Sequence, residues 1–150
     1  MATTTATKKK APAKKTMSDV ELMAMKETLA ERKRERSGKA DGEADLLAKI
    51  AEMEPGEKDI ASRLHAIITK NAPGLSPKTW YGMPAWANKD GKPVVFFQPA
   101  TKFKARYSTL GFQDPAKLDD GNVWPTSYAV LKIGPADEAK IIALVKKAAG

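Results

Sequence analysis

The spacing of apolar residues changes twice along this chain, and nothing else in the sequence constrains the fold as strongly. Before Leu75 they recur at helical intervals. From there to Ile133 they follow a period of two and aromatic rings join them. After Gly134 the helical interval returns. Helical segments at both ends and consecutive short strands between them predict an α+β fold in two layers. The sheet is expected to be antiparallel, with about five strands, and the N- and C-terminal helices should pack on one of its faces.

The segments can be placed individually. Residues 18–36 read as a helix, with Ser18 and Glu21 at capping-box spacing. Its apolar residues Val20, Leu22, Met23, Met25 and Leu29 are scattered around the wheel, which predicts a peripheral helix. A second helix should carry Leu46, Leu47, Ile50 and Met53 and break at Pro55-Gly56. A third, over 57–71, gathers Ile60, Leu64, Ile67 and Ile68 on one stripe. Strands are expected at 78–81, 85–88, 94–98, 103–110 and 127–133, with a hairpin turn at Asp90-Gly91. Gly82-Met83-Pro84 reads as a bulge or corner between strands. The last helix opens at Pro135, with Asp137 and Glu138 in its first turn and Lys146 and Lys147 near its end. Three parts follow: a Lys/Ala-rich tail over 1–16 expected to be disordered, a peripheral charged helix and linker over 17–42, and an α+β domain over 43–150.

Charge and composition exclude several classes of function. The 150 residues contain no cysteine, so disulfides, thiolate nucleophiles and cysteine-ligated metals are absent. The single histidine, His65, rules out a multi-histidine metal site within one chain and reads as a boundary residue hydrogen-bonding locally. No apolar run approaches the ~20 residues of a membrane-spanning helix, and the tail lacks the apolar stretch of a secretory signal. A soluble, cytoplasmic protein with no membrane contact is the expectation. The net charge is +8, and five lysines of the tail (Lys8, Lys9, Lys10, Lys14, Lys15) account for much of it. Such a tail suits weak, sequence-blind contact with nucleic-acid phosphates, or simple solubilisation.

The residues able to carry recognition are aromatic and basic. Trp80, Tyr81, Trp86, Phe96, Phe97, Tyr107 and Trp124 fall within one stretch of the chain. Core packing is the plain reading of any one ring. Strict alternation, however, would put Trp80 and Tyr81 on opposite faces of their strand, and Lys104 and Arg106 opposite Tyr107. Trp80, Tyr81, Met83, Trp86, Lys104, Arg106, Tyr107 and Trp124 are therefore the candidate ligand-binding residues, with Trp124 on a loop able to close over the sheet. An aromatic platform beside Lys and Arg suits a small anionic ligand or a nucleobase with its phosphate. No serine has nucleophile-elbow glycines and no phosphate-binding glycine loop is present, so no catalytic residue is assigned and a non-enzymatic role is expected, binding a small ligand or a partner protein on the open sheet face.

Trp80-Tyr81-Gly82-Met83-Pro84-Ala85-Trp86, with Asn71-Ala72-Pro73 upstream and Lys92-Pro93-Val94-Val95-Phe96-Phe97 downstream, resembles the YdhG-like family of domains of unknown function. The likeness extends over roughly residues 43–150. It implies a two-layer domain likened to frataxin and, for some members, an intracellular iron chaperone. The acids that could serve iron in that reading are Glu43, Asp45, Glu52, Glu54, Glu57 and Asp59. The domain is net basic, unlike a carboxylate-dense iron surface, so no cofactor and no metal ligand is assigned from the residues themselves.

Overall fold

Among the described residues, three helices, five strands and a closing helix follow one another. The computed structural model describes residues 18–37 and 42–150; the expected tail over 1–16 and part of the linker lie outside them. Helix α1 spans Asp19–Ser37, α2 Gly42–Ala51, α3 Pro55–Asn71 and α4 Pro135–Ala149. The strands are β1 Ser76–Trp80, β2 Met83–Ala87, β3 Pro93–Gln98, β4 Ser108–Phe112 and β5 Ser127–Val130. They form one antiparallel sheet in the order β1-β2-β3-β4-β5, each strand beside its sequence neighbours. The fold is α+β, with the helices flanking the sheet.

Local chemistry sets the element ends. Ser18 and Glu21 exchange the two bonds of a capping box at the start of α1, at 2.9 and 3.1 Å. Pro55 begins α3 rather than only ending α2, because a first-turn proline loses no helical hydrogen bond. The Gly134 N–H donates to Asp137 Oδ2 at 2.8 Å and opens α4. Asn88 Oδ1 accepts from the N–H groups of Asp90 and Lys92, both at 3.0 Å, and closes the β2–β3 hairpin, with Gly91 at φ 80°.

The register decides which side chains face the helices. Trp86 stands opposite Val95, Val95 opposite Phe112, Phe97 opposite Leu110, and Leu110 opposite Tyr128. That face meets Leu46 and Ile50 of α2, Leu64 and Ile68 of α3, and Ile141 and Val145 of α4 in one core. Each large side chain buried there contributes about 1.5–3 kcal/mol. No described side chain of α1 joins this core, in keeping with its scattered apolar residues.

Three sequence expectations need correction. The strand expected over 103–110 begins only at Ser108. Before it, Lys104 N–H bonds Thr101 O and Ala105 N–H bonds Ala100 O, turn bonds that divert the backbone from a ladder, and Lys104 takes φ 55°. The strand expected over 127–133 ends at Val130. Of the bulge or corner read at Gly82-Met83-Pro84, the structure has the corner and places it one residue earlier: Tyr81 and Gly82, at φ 53° and 77°, are the two-residue turn joining β1 to β2, and Met83 and Pro84 lie within β2.

Candidate functional site

Among the described residues two features stand out beyond the core: the sheet face away from α2, α3 and α4, and the ion-paired end of the sheet where α1 docks.

On the open face one row crosses four strands. Lys78 stands opposite Ala85, Ala85 opposite Phe96, and Phe96 opposite Gly111; Trp80 stands opposite Met83 in the next row. Ala85 and Gly111 are small, and rings use the room above them. The Phe96 ring occupies the space that a Cβ on Gly111 would need. Trp80 meets Phe96 with centroids 5.4 Å apart at 60°, and Tyr81 meets Trp80 at 5.0 Å and 70°. Ala85 and Met83 are buried beneath, Trp80 and Phe96 are half-buried, and Tyr81 is exposed. Three rings thus lie low on the sheet with part of their surface toward solvent.

The residues singled out from sequence divide between this face and other places. Trp80, Tyr81 and Met83 belong to it or its rim. Tyr81 is not opposed to Trp80 by strand alternation, because it has left the strand for a left-handed turn position. Trp86 belongs to the core at 1% exposure, and its Nε1–H donates to His65 Nδ1 at 3.2 Å. His65 Nδ1 therefore accepts, and Nε2 donates to Glu43 Oε2 at 2.9 Å. Trp124 packs against the core cluster on the helix side and is not a cover for the open face. Arg106 and Tyr107 are both exposed, with the guanidinium 5.1 Å from the ring centroid, a cation–π pair in the β3–β4 loop rather than across a strand. Lys104 is exposed on the same loop. Sequence reading missed Phe96 and Gly111 as the centre of the platform. Their facing positions in neighbouring strands are the signal that finds them.

At the end of the sheet, Glu27 of α1 lies between two ammonium groups. Lys49 Nζ of α2 is 2.7 Å from its Oε2. Lys102 Nζ is 2.8 Å from Oε2 and 2.6 Å from Oε1. Oε1 is buried against that ammonium yet outside hydrogen-bond geometry. Lys102 also donates to Gly82 O at 2.9 Å, and the Gly82 N–H donates to Glu31 Oε2 at 3.1 Å. A side chain at position 82 would collide with the Glu27 carboxylate, so this approach requires glycine. Burial alone would lower the pKa of Lys49, but the hydrogen bond and charge of Glu27, with Glu52 and Glu31 nearby, outweigh it and leave the pKa raised. A cleft of about 250 Å³ opens beside the pair, its walls including Met23, Met53, Glu54 and Pro99.

Among the six acids around the α2–α3 turn, Glu43 pairs with His65, Glu52 lies 3.7 Å from Lys49, and Asp59 bonds Arg63 at 2.9 Å. Glu57 accepts from the N–H and hydroxyl of Thr101 at 2.9 and 2.7 Å. Among the described residues no group of three or more acids or histidines is gathered as a metal site. No described helix is long and apolar enough to cross a membrane. No family model matches the sequence, and no curated protein or solved structure matches it.

Proposed function

We propose that this protein is a non-enzymatic binding module that takes a planar, anionic heterocycle of mononucleotide size on its open sheet face. The observation that carries the reading is the Trp80–Phe96 pair, set low over Ala85 and Gly111 on the face away from the core helices. Because the two rings are inclined by 60°, a flat ligand ring stacks on one of them and meets the other edge-on, through dispersion and quadrupole contact that is tolerant of the ring's identity. Tyr81 borders the platform, and the exposed Lys104 and Arg106 of the β3–β4 loop offer charge to an anionic substituent.

Stacking on one aromatic side chain is worth about 1–3 kcal/mol per base, or roughly five- to 150-fold in affinity. Titration of the full chain with adenosine monophosphate and uridine monophosphate, followed by calorimetry, tests the reading. Both should bind, and Trp80→Leu should weaken both within that range. Equal affinity in Trp80→Leu, or no heat with either nucleotide, would overturn it.

A further inference from the structure

Helix α1 is held to the rest of the molecule in an unusual way. Its apolar residues Leu22, Met23, Met25 and Leu29 are all substantially exposed, and none of its described side chains enters the core. Val20, Ala24 and Thr28 are half-buried, and the side-chain hydrogen bonds it makes to the body come from two carboxylates one helical turn apart, Glu27 and Glu31. The groups that receive them come from three separate elements: Lys49 from α2, Lys102 from the β3–β4 loop, and the Gly82 N–H from the β1–β2 turn. Both lysine side chains are about four-fifths removed from solvent, at 20% and 18% exposure. An exposed ion pair needs none of this. The lysines are gathered from distant parts of the sequence, and a glycine at position 82 leaves room for an oxygen against the turn. The fit of Glu27 is also incomplete, since its Oε1 is buried without a well-directed hydrogen bond.

We propose that Lys49, Lys102 and the Gly82 N–H form a second binding site, for a small dianion, and that Glu27 and Glu31 of α1 occupy it in cis as a displaceable stand-in. The site is separate from the ring platform and does not depend on it. The neighbouring cleft opens beside Glu27, and its walls carry Glu52, Glu54 and Glu57 as well as the two lysines, so a dianion reaches the ammonium groups only past these carboxylates. Charge-assisted bonds from two ammonium groups and a backbone N–H suit paired oxyanions, either two carboxylates or two phosphates. A ligand that binds there must displace the carboxylates, so its occupancy and the docking of α1 exclude each other. Because α1 adds no core contact, its release leaves the sheet and α2–α4 intact.

The test uses the full chain, with pyrophosphate and glutarate as separate phosphate and carboxylate probes, titrated by calorimetry at fixed ionic strength. In Glu27→Gln/Glu31→Gln, at least one probe should bind tenfold or more tighter than in wild type. Adding Lys102→Met to that variant should abolish the gain, while Trp80→Leu should leave it unchanged. In wild type, a saturating concentration of the tighter probe should shift the backbone amide resonances of residues 19–32 and spare those of α4. Unchanged affinity in the double glutamine variant, or full binding after Lys102→Met, would overturn the proposal. Unfolding midpoints of every variant within a few degrees of wild type confirm that the body is intact. Should the double glutamine variant unfold, the wild-type amide shifts with and without Lys102→Met decide the matter alone.

Discussion

Replacing Gly111 with alanine puts the packing of the open face to a quantitative test. A Cβ at this position would overlap Cζ and Cε1 of Phe96 and lie 2.9 Å from Cε2, so the ring has to lift away from the sheet. Lifting it disturbs the contact with Trp80, whose centroid is 5.4 Å away. Overpacking of this kind costs about 1–3 kcal/mol, and the aromatic pair accounts for about 0.5–1.5 kcal/mol of that. Set against this, alanine restricts the unfolded chain more than glycine and returns about 0.4–1 kcal/mol. The net expectation for Gly111→Ala is a loss of about 1–2 kcal/mol, read as a lower urea midpoint at unchanged slope. In a Phe96→Ala background the obstruction is gone, and the same substitution should be neutral or slightly stabilising. A coupling of about 1 kcal/mol or more between the two positions is therefore expected from the double-mutant cycle. If Gly111→Ala costs the same with and without Phe96, the ring does not rest on the glycine and the account of the platform is wrong.

Other expected outcomes bear on separate parts of the molecule. His65→Ala removes the acceptor of the buried Trp86 Nε1–H and should cost about 1–3 kcal/mol in urea unfolding, whereas exposed Ser62→Ala should cost almost nothing. Lys49 has a folded pKa raised above its ordinary 10.5. Its contribution is fully present below the unfolded value and is lost as pH rises through the folded one. Amide exchange protection in α1, corrected for intrinsic rates, should thus hold from neutral pH to about 10 and fall only above it. Lys102→Met removes one of the two ammonium groups on Glu27 and should reduce α1 protection at neutral pH while leaving protection in α4 unchanged. One molar potassium chloride should weaken α1 docking in wild type, since the screening length falls to about 3 Å.

The sequence was informative wherever one local signal had one structural solution. The capping box of α1, the Asn88–Lys92 hairpin and the stripes of α3 and α4 each satisfy backbone groups or bury a face in only one way. Residues 103–107 alternate like a strand, but tight turn bonds at Thr101–Lys104 satisfy that backbone instead, and Glu57 of α3 holds Thr101 in place. Tyr81 misled for a related reason. Left-handed turn positions usually fall to glycine or asparagine, and a tyrosine there reads as strand until its φ of 53° is seen. Trp86 and Trp124 could be identified as rings but not assigned to a side, because period alone does not say which face the helices take. The Glu27–Lys49–Lys102 cluster left no sequence signal at all: its members lie on three elements that only the tertiary fold brings together.

The chain's three tryptophans lie in distinct surroundings, which makes the ring platform directly testable. Trp80 is on the open face, Trp86 in the core and Trp124 against the helix-side cluster. Titration of the ¹⁵N-labelled full chain with adenosine monophosphate should move the indole N–H resonance of Trp80 and leave those of Trp86 and Trp124 in place. Shifts confined to Trp86 or Trp124, or no shift at Trp80 under saturating nucleotide, would contradict recognition on the open sheet face.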